Sequence, residues 1–476
     1  MGKENTNNFA GKKVLVFGLG LLGGGVATTN WLIKHGAKVT VTDLKNKEQL
    51  AVSLKRIKGR IKLKLGGHDE RDISENDVIV FNPDIPVTSK YVLLAHKLGK
   101  QVENEATIFY KLCSKPIIAV TGTRGKTTTA NWAAHFLNSK GSRSVLAGNS
   151  FVEPLLNILD NVGKFSIVVN EIPSYHLEFF DSAVRPPGVA VVTNVFQDHL
   201  NRYSSFLDYA MTKGNIFKNQ TSKQNLVLNY SNKWTQVFLK QKPQSKIWFF
   251  SMKKLPKRMS GVFYVKDGVY LQSGGVANKI LNITGFVKKW GEHNLENLLA
   301  SGLAAYLGGA LWRDIQQKIK TLPQIPFRQE VIFQNKNLII INDTTATSPD
   351  GGIAAVKRFA SPSCILITGG TDRQLDYKQW AKMVPRHIKP GNIIMLAGSA
   401  TDKMLKYLGD IIRPDQICDT LADCIALALS RAGKYSKSVV LFSPAAKSFE
   451  KFKNEFDRGQ QFNKLIKKEV GKWMRS

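Results

Sequence analysis

Residues 118–130 read I-A-V-T-G-T-R-G-K-T-T-T-A, and the order within this stretch decides the fold. An apolar run ends at Thr121, a glycine turn follows, and Lys126, Thr127 and Thr128 open a helical pattern. A buried strand that feeds a glycine turn at a helix N-terminus builds a phosphate cradle. Gly122 and Gly125 let the backbone approach a phosphate, with Thr123 and Arg124 between them; Lys126 supplies countercharge and Thr127 offers a hydroxyl to Mg²⁺. The expected ligand is ATP. In the long form of this motif the first glycine would stand at position 120, where the chain has Val120, so only the short form G-T-R-G-K-T is present.

Around this stretch, 476 residues exceed one ordinary core, and the length suggests about three domains. A hydrophobic content of 43% fits a globular chain. Cys113, Cys364, Cys418 and Cys424 form neither a CxxC pair nor a framework spacing, so they read as reduced thiols of a cytoplasmic protein, without disulfides or a cysteine metal site. No run of about 18 apolar residues suggests a spanning helix. Val14 to Ala27 resembles a signal core in hydropathy, but its glycines and the strand pattern that follows read as a turn within a fold. M-G-K-E-N-T fits a myristoylation pattern with nothing else to suggest an anchor.

The balance of 68 Lys and Arg against 36 Asp and Glu gives +32, which favours anionic partners: nucleotides, nucleic acid or an acidic membrane surface. The basic residues are dispersed, denser at 55–64 and 464–475, and no RNA-binding signature accompanies them. A solvated basic surface is expected, with no stable nucleic-acid or membrane partner required.

Three alternating segments follow one another without a disordered linker. The first runs through G-K-K-V-L-V-F-G-L-G-L-L-G and a helical pattern to a strand ending at Asp43, with Gly18, Gly20 and Gly23 at dinucleotide-fold spacing. Taken alone this suggests NAD, but the same turn holds any diphosphate at a helix N-terminus. A further strand is expected at 77–81. The second segment opens with the strand at 117–120 and continues with parallel strands at 167–170 and 189–193. Residues 225–250 resist assignment, residues 263–285 suggest short antiparallel strands, and a helix bearing Asn294 and Asn297 leads to Leu307. The third segment starts near Pro326 with a hairpin that delivers Asp343, then alternates strands at 364–368, 393–396 and 439–442 with helices, a second doubly wound sheet.

Polar groups that follow central strands of a parallel sheet lie where ligands collect. Glu171 follows I-V-V-N, and Asp198 and His199 follow V-A-V-V within T-N-V-F-Q-D-H. A carboxylate near a phosphate loop can join a Mg²⁺ shell, and a neutral imidazole can hold a second divalent ion. Read without context, Asp198 also fits a helix N-cap and His199 a packed core histidine.

The order of motifs supplies context. The phosphate loop is followed by G-N-S at 148–150, E-I-P-S-Y-H-L-E at 171–178, T-N-V-F-Q-D-H-L-N-R-Y at 193–203, G-E-H-N-L-E-N at 291–297, N-D-T-T-A-T at 342–347 and S-P-A-A-K-S-F at 443–449. Together they resemble the Mur ligases over nearly the whole chain, and within them the branch that adds D-glutamate. The resemblance implies an α/β protein of three domains: a Rossmann-like UDP-binding domain at 1–112, a central P-loop ATPase domain at 113–323 and a dinucleotide-fold-like domain at 324–476. It implies a cytoplasmic, monomeric ligase of peptidoglycan precursor synthesis acting on UDP-N-acetylmuramoyl-L-alanine and D-glutamate through an acyl phosphate.

By resemblance, Lys126 neutralises the β and γ phosphates, Thr127 and Glu171 bind one Mg²⁺, and His199 helps hold a second. Lys213 matches a lysine carried as a carbamate; by its pattern alone it also fits an ordinary exposed helical lysine. Asn149 matches a muramoyl contact, and Ser174 lies in the matching E-I-P-S-Y. Asn294 and Asn297 occupy the nucleotide-side motif, and Arg328 and Asp343 match ATP contacts of the C-terminal domain. Gly18, Leu22, Asp43 and Lys45 fall at the UDP end. Thr347, Arg373 and Ser448 fall at the amino-acid end.

The chain departs from the family pattern at both specificity ends. Thr345 replaces a lysine, Arg373 replaces a lysine with a forked cation suited to carboxylate, and Glu455 stands where an aromatic is common, beside Phe456. Leu22 replaces a hydroxyl residue, Lys45 an arginine, Asp84 a glycine and Pro173 a serine. A ligase adding L-glutamate to the same precursor shares the pattern. A folylpolyglutamate synthase would share the ATPase core but not the N-terminal glycine-turn domain. A nucleotide-dependent nucleic-acid-binding protein would account for the charge, and an NAD-dependent oxidoreductase for the first glycines, though the latter leaves the phosphate loop unexplained.

Overall fold

The computed structural model describes residues 9–21, 23–139, 141–148, 154–196, 202–266 and 268–473. The chain forms two compact units, Met1–Val287 with Asn294–Pro323, and Lys288–His293 with Gln324–Ser476. Three sheets carry the expected α/β architecture.

The first unit holds two of them. Its N-terminal sheet has five parallel strands in the order Lys62–Leu65, Lys38–Asp43, Lys13–Phe17, Val78–Phe81, Gln101–Glu103. Every residue of V-I-V-F at 78–81 is buried, as a parallel strand covered on both faces requires. Strand order reverses between Lys13–Phe17 and Val78–Phe81, and the glycine turn follows the first of these, so it opens at the switch point where open sheets bind ligands.

The second sheet has nine strands with I-I-A-V-T at 117–121, wholly buried, between Ile167–Glu171 and Val189–Val192. The three are parallel, and register pairs Val120 with Glu171 and Thr121 with Val192. Three polar loops therefore leave the same edge side by side. Residues 225–250 resolve into strand Asn225–Asn229, helix Thr235–Lys240 and strand Lys246–Ser251, and the sheet ends in the antiparallel run Gly261–Val265, Gly268–Ser273, Val276–Asn282. The last of these is an edge strand whose exposed Lys279 and asparagines discourage pairing with another chain.

The second unit is built on six strands in the order Glu330–Gln334, Leu338–Asn342, Ser438–Phe442, Cys364–Gly369, Ile393–Leu396, Ile417–Cys418, parallel except for the first, which closes the expected hairpin. Apolar clusters cover both faces: Trp380, Met395 and Met404 on one, Ile367, Ile425 and Phe462 on the other. All four cysteines are free thiols. Among the described residues no helix is long and apolar enough to cross a membrane.

Candidate active site

The phosphate loop is held from below by the neighbouring strand's exit. Gly122 lies at φ +145°, and a Cβ there would stand 1.9 Å from Thr193 Oγ1. Thr193 Oγ1 donates to the Arg124 carbonyl at 2.6 Å, the Arg124 N–H donates to Asn194 Oδ1 at 2.9 Å, and the Thr123 N–H donates to the Asn194 carbonyl at 2.9 Å. Helix Lys126–Leu137 begins directly after Gly125, so its first-turn N–H groups face the loop's concave side. Lys126 Nζ rests on the Thr123 carbonyl at 3.1 Å. Thr127 is half-buried and Thr128 buried in the first turn, while Arg124 projects outward over the Phe196 ring. Gly122→Ala is expected to displace the loop by the clash with Thr193. A misplacement of about 1 Å costs on the order of a hundredfold in rate, and steady-state phosphate release measures it.

Asn294 and Asn297, on helix His293–Leu307, meet this loop. Asn297 Oδ1 lies 2.3 Å from where a Cβ at Gly125 would be, and Asn297 Nδ2 donates to Asn294 Oδ1 at 2.8 Å. Lys213 lies in helix Phe206–Gly214, and the structure overturns its exposed reading: the side chain is 1% exposed. Its Nζ donates to the Gly122 carbonyl at 3.1 Å and sits 4.4 Å over the Tyr209 ring. Glu171, 2% exposed, ends the adjacent strand. Thr127 and Glu171 are both hard oxygen donors, the set that suits Mg²⁺. Ser174 is buried and accepts a hydrogen bond from the Tyr203 hydroxyl at 2.8 Å. Leu22, Asn149, Asp198 and His199 lie outside the described residues.

A cavity of about 270 Å³ extends from the glycine turn to Glu171, with Gly18, Gly24, Asn82, Tyr175 and His176 among its walls. Asp43 is buried and committed to the turn itself: Oδ2 accepts from the Leu19 and Gly20 N–H groups at 2.9 and 3.0 Å, and Oδ1 from the Lys45 N–H at 2.9 Å. Asp43 and Lys45 thus come together at the rim of the turn.

In the second unit the loops that the sequence singled out share a backbone feature. Phe327 and Gln329 flank Arg328 at φ +63° and +47°, Gln374 follows Arg373 at +59°, and Ala445 precedes Ser448 at +57°. Non-glycine residues in this region store strain that the surrounding structure must support, and such strain clusters at ligand sites. Asp343 is buried, with Oδ1 accepting from the Gln329 N–H at 3.0 Å and Oδ2 from the Ser443 hydroxyl at 2.8 Å. Burial pushes its carboxyl up to about 7, against the pull of Ser443 and Arg328. Thr345 N–H and hydroxyl both donate to the Phe327 carbonyl, so the residue at the lysine position braces the Arg328 loop, and Thr347 is half-buried two residues on.

Arg373 and Ser448 are also brought together. Thr371 and Lys447 exchange backbone hydrogen bonds of 2.9 and 3.0 Å, and the Arg373 guanidinium lies 5.5 Å over the Phe449 ring. Ser448 Oγ is buried without a hydrogen-bond partner among the described residues. Glu455 stands 3.6 Å from Lys447 Nζ.

Sequence reasoning missed the groups that hold these loops. Thr193 and Asn194 lie inside a quoted motif without a role. Arg358 reads as a surface helix residue, yet its Nη1 donates to Gln329 Oε1 at 2.9 Å. Arg458 is 0% exposed, and its guanidinium donates to the Thr344 hydroxyl and to the Thr344, Ala446 and Lys447 carbonyls at 2.8–3.0 Å. It ties the Asp343 loop to the Ser448 loop. Arg458→Met should leave those acceptors unpaired and lower the unfolding free energy by about 3 kcal/mol, read by denaturant titration. The only sequence signal was an arginine beside Gly459, which any helix surface could carry.

A phosphate loop on one doubly wound sheet, a diphosphate-type turn on another and a third nucleotide-fold sheet define a nucleotide-using α/β enzyme with a nucleotide-like substrate. Residues 12–104 match the Mur ligase MurD-like N-terminal domain and residues 120–305 the Mur ligase middle domain. The UDP-N-acetylmuramoylalanine–D-glutamate ligases of Borreliella afzelii (strain PKo) and Roseiflexus sp. (strain RS-1) are 35% and 32% identical, over 95% and 96% of this chain and 97% and 98% of theirs. The MurF ligase of Thermotoga maritima, solved in complex with ADP, shares the fold at a TM-score of 0.54 and 16% identity, over 99% of this chain and 97% of that one. The chain belongs to the Mur ligase family, in its MurD-like branch.

Proposed function

We propose that this chain is the ATP-dependent ligase that joins D-glutamate to UDP-N-acetylmuramoyl-L-alanine in peptidoglycan precursor synthesis. The observation that carries the reading is that Glu171 lines the cavity leading from the glycine turn and also ends the strand beside the phosphate-loop strand, paired with Val120. A nucleotide-sugar anchored at the turn would bring its far end, the alanyl carboxylate, towards ATP on the loop.

The alanyl carboxylate oxygen attacks the γ-phosphorus, the bond to the ADP oxygen breaks, and an acyl phosphate forms. The glutamate amine then attacks the acyl carbon, phosphate leaves, and the amine gives up a proton. Lys126 and the N–H groups of the loop hold the phosphates where negative charge moves between oxygens. Thr127, Glu171 and His199 would hold up to two Mg²⁺ ions, whose charge offsets that of the phosphates. Asn294 and Asn297 would sit on the nucleotide side, Arg328 and Asp343 would complete the ATP site, and Arg373 with Ser448 would receive glutamate carboxylates. Asn149 and Ser174 would line the muramoyl path, with Gly18, Leu22, Asp43 and Lys45 at the UDP end. The domain limits 1–112, 113–323 and 324–476, a monomeric state and a cytoplasmic location complete the proposal.

Phosphate release with ATP, Mg²⁺ and UDP-N-acetylmuramoyl-L-alanine is compared with D-glutamate, L-glutamate and neither, with product masses recorded. D-glutamate-dependent release with the ligated mass is expected. Release with L-glutamate alone would move the chain to the L-adding reading, and no release with either would remove the proposal.

A further inference from the structure

The cavity between the glycine turn and Glu171 is walled by two loops that belong to different sheets. Asn82, Pro83 and Asp84 follow strand Val78–Phe81 of the N-terminal sheet, and Ile172, Pro173 and Tyr175 follow strand Ile167–Glu171 of the nine-stranded sheet. An ion pair whose side chains do not line the cavity joins the two loops. Arg202 Nε and Nη2 donate to Glu178 Oε1 and Oε2 at 2.6 and 2.8 Å, and Glu178 closes the short helix Ser174–Leu177 that carries Tyr175. Arg202 Nη1 also donates to the Asp84 carbonyl at 3.2 Å and Nη2 to the Ile85 carbonyl at 3.4 Å, while the Val87 N–H donates to Glu178 Oε2 at 3.4 Å. The first residue of the same loop is fixed on the glycine turn, where Asn82 Nδ2 donates to the Gly18 carbonyl at 3.1 Å. The Asp84 and Ile85 N–H groups donate back to Asn82 Oδ1 and to the Asn82 carbonyl at 3.0 and 2.9 Å.

Three nitrogens of one planar guanidinium thus reach four acceptors on two loops, a fork that a point-like ammonium does not reproduce. The pair is largely withdrawn from water, with side-chain exposures of 16% for Arg202 and 4% for Glu178. Desolvation cancels much of the attraction within such a pair, so stability alone does not account for it. The geometry it imposes does. Arg202 also lies in the segment 193–203, whose Thr193 and Asn194 brace the phosphate loop, and beside it the Tyr203 hydroxyl donates to Ser174 Oγ at 2.8 Å. One segment therefore supports the phosphate loop at its start and grips the wall of the cavity at its end.

Resting on the reading of this cavity as the nucleotide-sugar site, we infer that Arg202, through Glu178, is a positioning residue of the ligation. It fixes the Asn82–Ile85 wall against the Glu171 side, and so sets where the alanyl carboxylate meets the γ-phosphate. Arg202 acts through the wall and not by touching substrate. Without it the loop keeps its hold on the glycine turn through Asn82 but loses its tie to the second sheet. The reacting oxygen is then misplaced, while ATP keeps the Lys126 charge and the backbone donors of its own loop. A misplacement of about 1 Å costs on the order of a hundredfold in rate.

The test compares the full native chain with Arg202→Met, Arg202→Lys and the double variant Arg202→Met with Glu178→Gln. Each is measured for kcat of D-glutamate-dependent phosphate release, for ATP affinity by calorimetry and for its denaturation midpoint. Arg202→Met should lower kcat by about a hundredfold with ATP affinity within about twofold of native. It also strands the Glu178 carboxylate, so its midpoint should fall; the double variant removes that charge, keeps an acceptor for Val87 and should regain most of the midpoint. Its kcat should stay as low as that of Arg202→Met, because the fork is still missing. Arg202→Lys keeps the charge against Glu178 and should fold as the native chain does, with kcat about tenfold down. Native kcat in Arg202→Lys or Arg202→Met, a rate that returns with the midpoint in the double variant, or ATP affinity that falls as far as kcat would overturn the positioning role while the cavity reading stands. No ligation by the native chain would overturn both.

Discussion

Lys126→Ala is expected to lower ligase turnover by about a thousandfold or more, with acyl-phosphate formation as the step lost. The expectation follows from where the charge sits. Lys126 is the first residue of its helix, and its Nζ is held by the Thr123 carbonyl above the concave side of the loop. The loop's backbone donors remain in the variant, and removing even one such fixed donor costs on the order of 10²–10³ in rate. Removing a full positive charge from the phosphate site should cost more, because phosphoryl transfer is catalysed almost entirely by position and electrostatics. Arg124 does not substitute, since its side chain projects outward over Phe196. Lys126→Arg separates charge from shape: the broader guanidinium keeps the charge but not the fit, and should recover only part of the loss. Acyl phosphate is trapped by borohydride, whose hydride attacks the acyl carbon, expels phosphate and leaves the alcohol, and the native signal should fall to background in Lys126→Ala. Undiminished turnover would remove Lys126 from the phosphate site.

The phosphate loop was legible in the sequence because everything that determines it is local. The strand, the two glycines, the lysine and the helix all occur within residues 118–130. The central strands of the three sheets were legible for a similar reason, since buried parallel strands such as V-I-V-F at 78–81 stand out as apolar runs between turns, whereas the short edge strands Lys62–Leu65, Gln101–Glu103, Ser144–Gly148 and Ile417–Cys418 were not assigned. Residues 225–250 were not, because two five- to six-residue strands flank a six-residue helix, and their pairing with Val189–Val192 and Gly261–Val265 is set by distant chain. The supporting side chains were hidden for the same physical reason. Arg458 in F-D-R-G reads as a surface arginine; only tertiary packing turns it into a buried clamp. Asp43 was found as the residue at a strand's end, but its engagement with Leu19, Gly20 and Lys45 needed the folded turn. Where strain marks the loops of the second unit, no sequence pattern announces it: Phe327, Gln329, Gln374 and Ala445 are residue types that seldom adopt positive φ.

Lys213→Ala is expected to lose activity by more than about a hundredfold and to regain part of it with an added small carboxylate such as acetate or formate. A lysine 1% exposed, with its Nζ at the Gly122 carbonyl, is costly to bury unless its charge serves the site. As an ammonium it would stand at the Gly122 carbonyl, within the phosphate loop, where a cation would repel a bound Mg²⁺ ion. Reaction of the neutral amine with CO₂ would form an N–C bond, release one proton and leave a carboxylate, and so would turn a repelling cation into a metal-compatible anion. The bond formed is to the side-chain nitrogen, so the truncated variant cannot make it, but a free carboxylate can enter the space the side chain leaves. Two results separate this chemistry from a packing role. A cavity left by truncation lowers stability, by about 2–5 kcal/mol for a large buried side chain, and acetate would not restore it. A carbamate lost at low CO₂ should instead lower the activity of the native chain in degassed buffer, with bicarbonate restoring it, while Lys213→Ala responds to acetate and not to bicarbonate. Full activity of the unrescued variant would remove the carbamate, and a native chain indifferent to CO₂ whose variant fails to respond to acetate would leave Lys213 as a strut beneath Gly122.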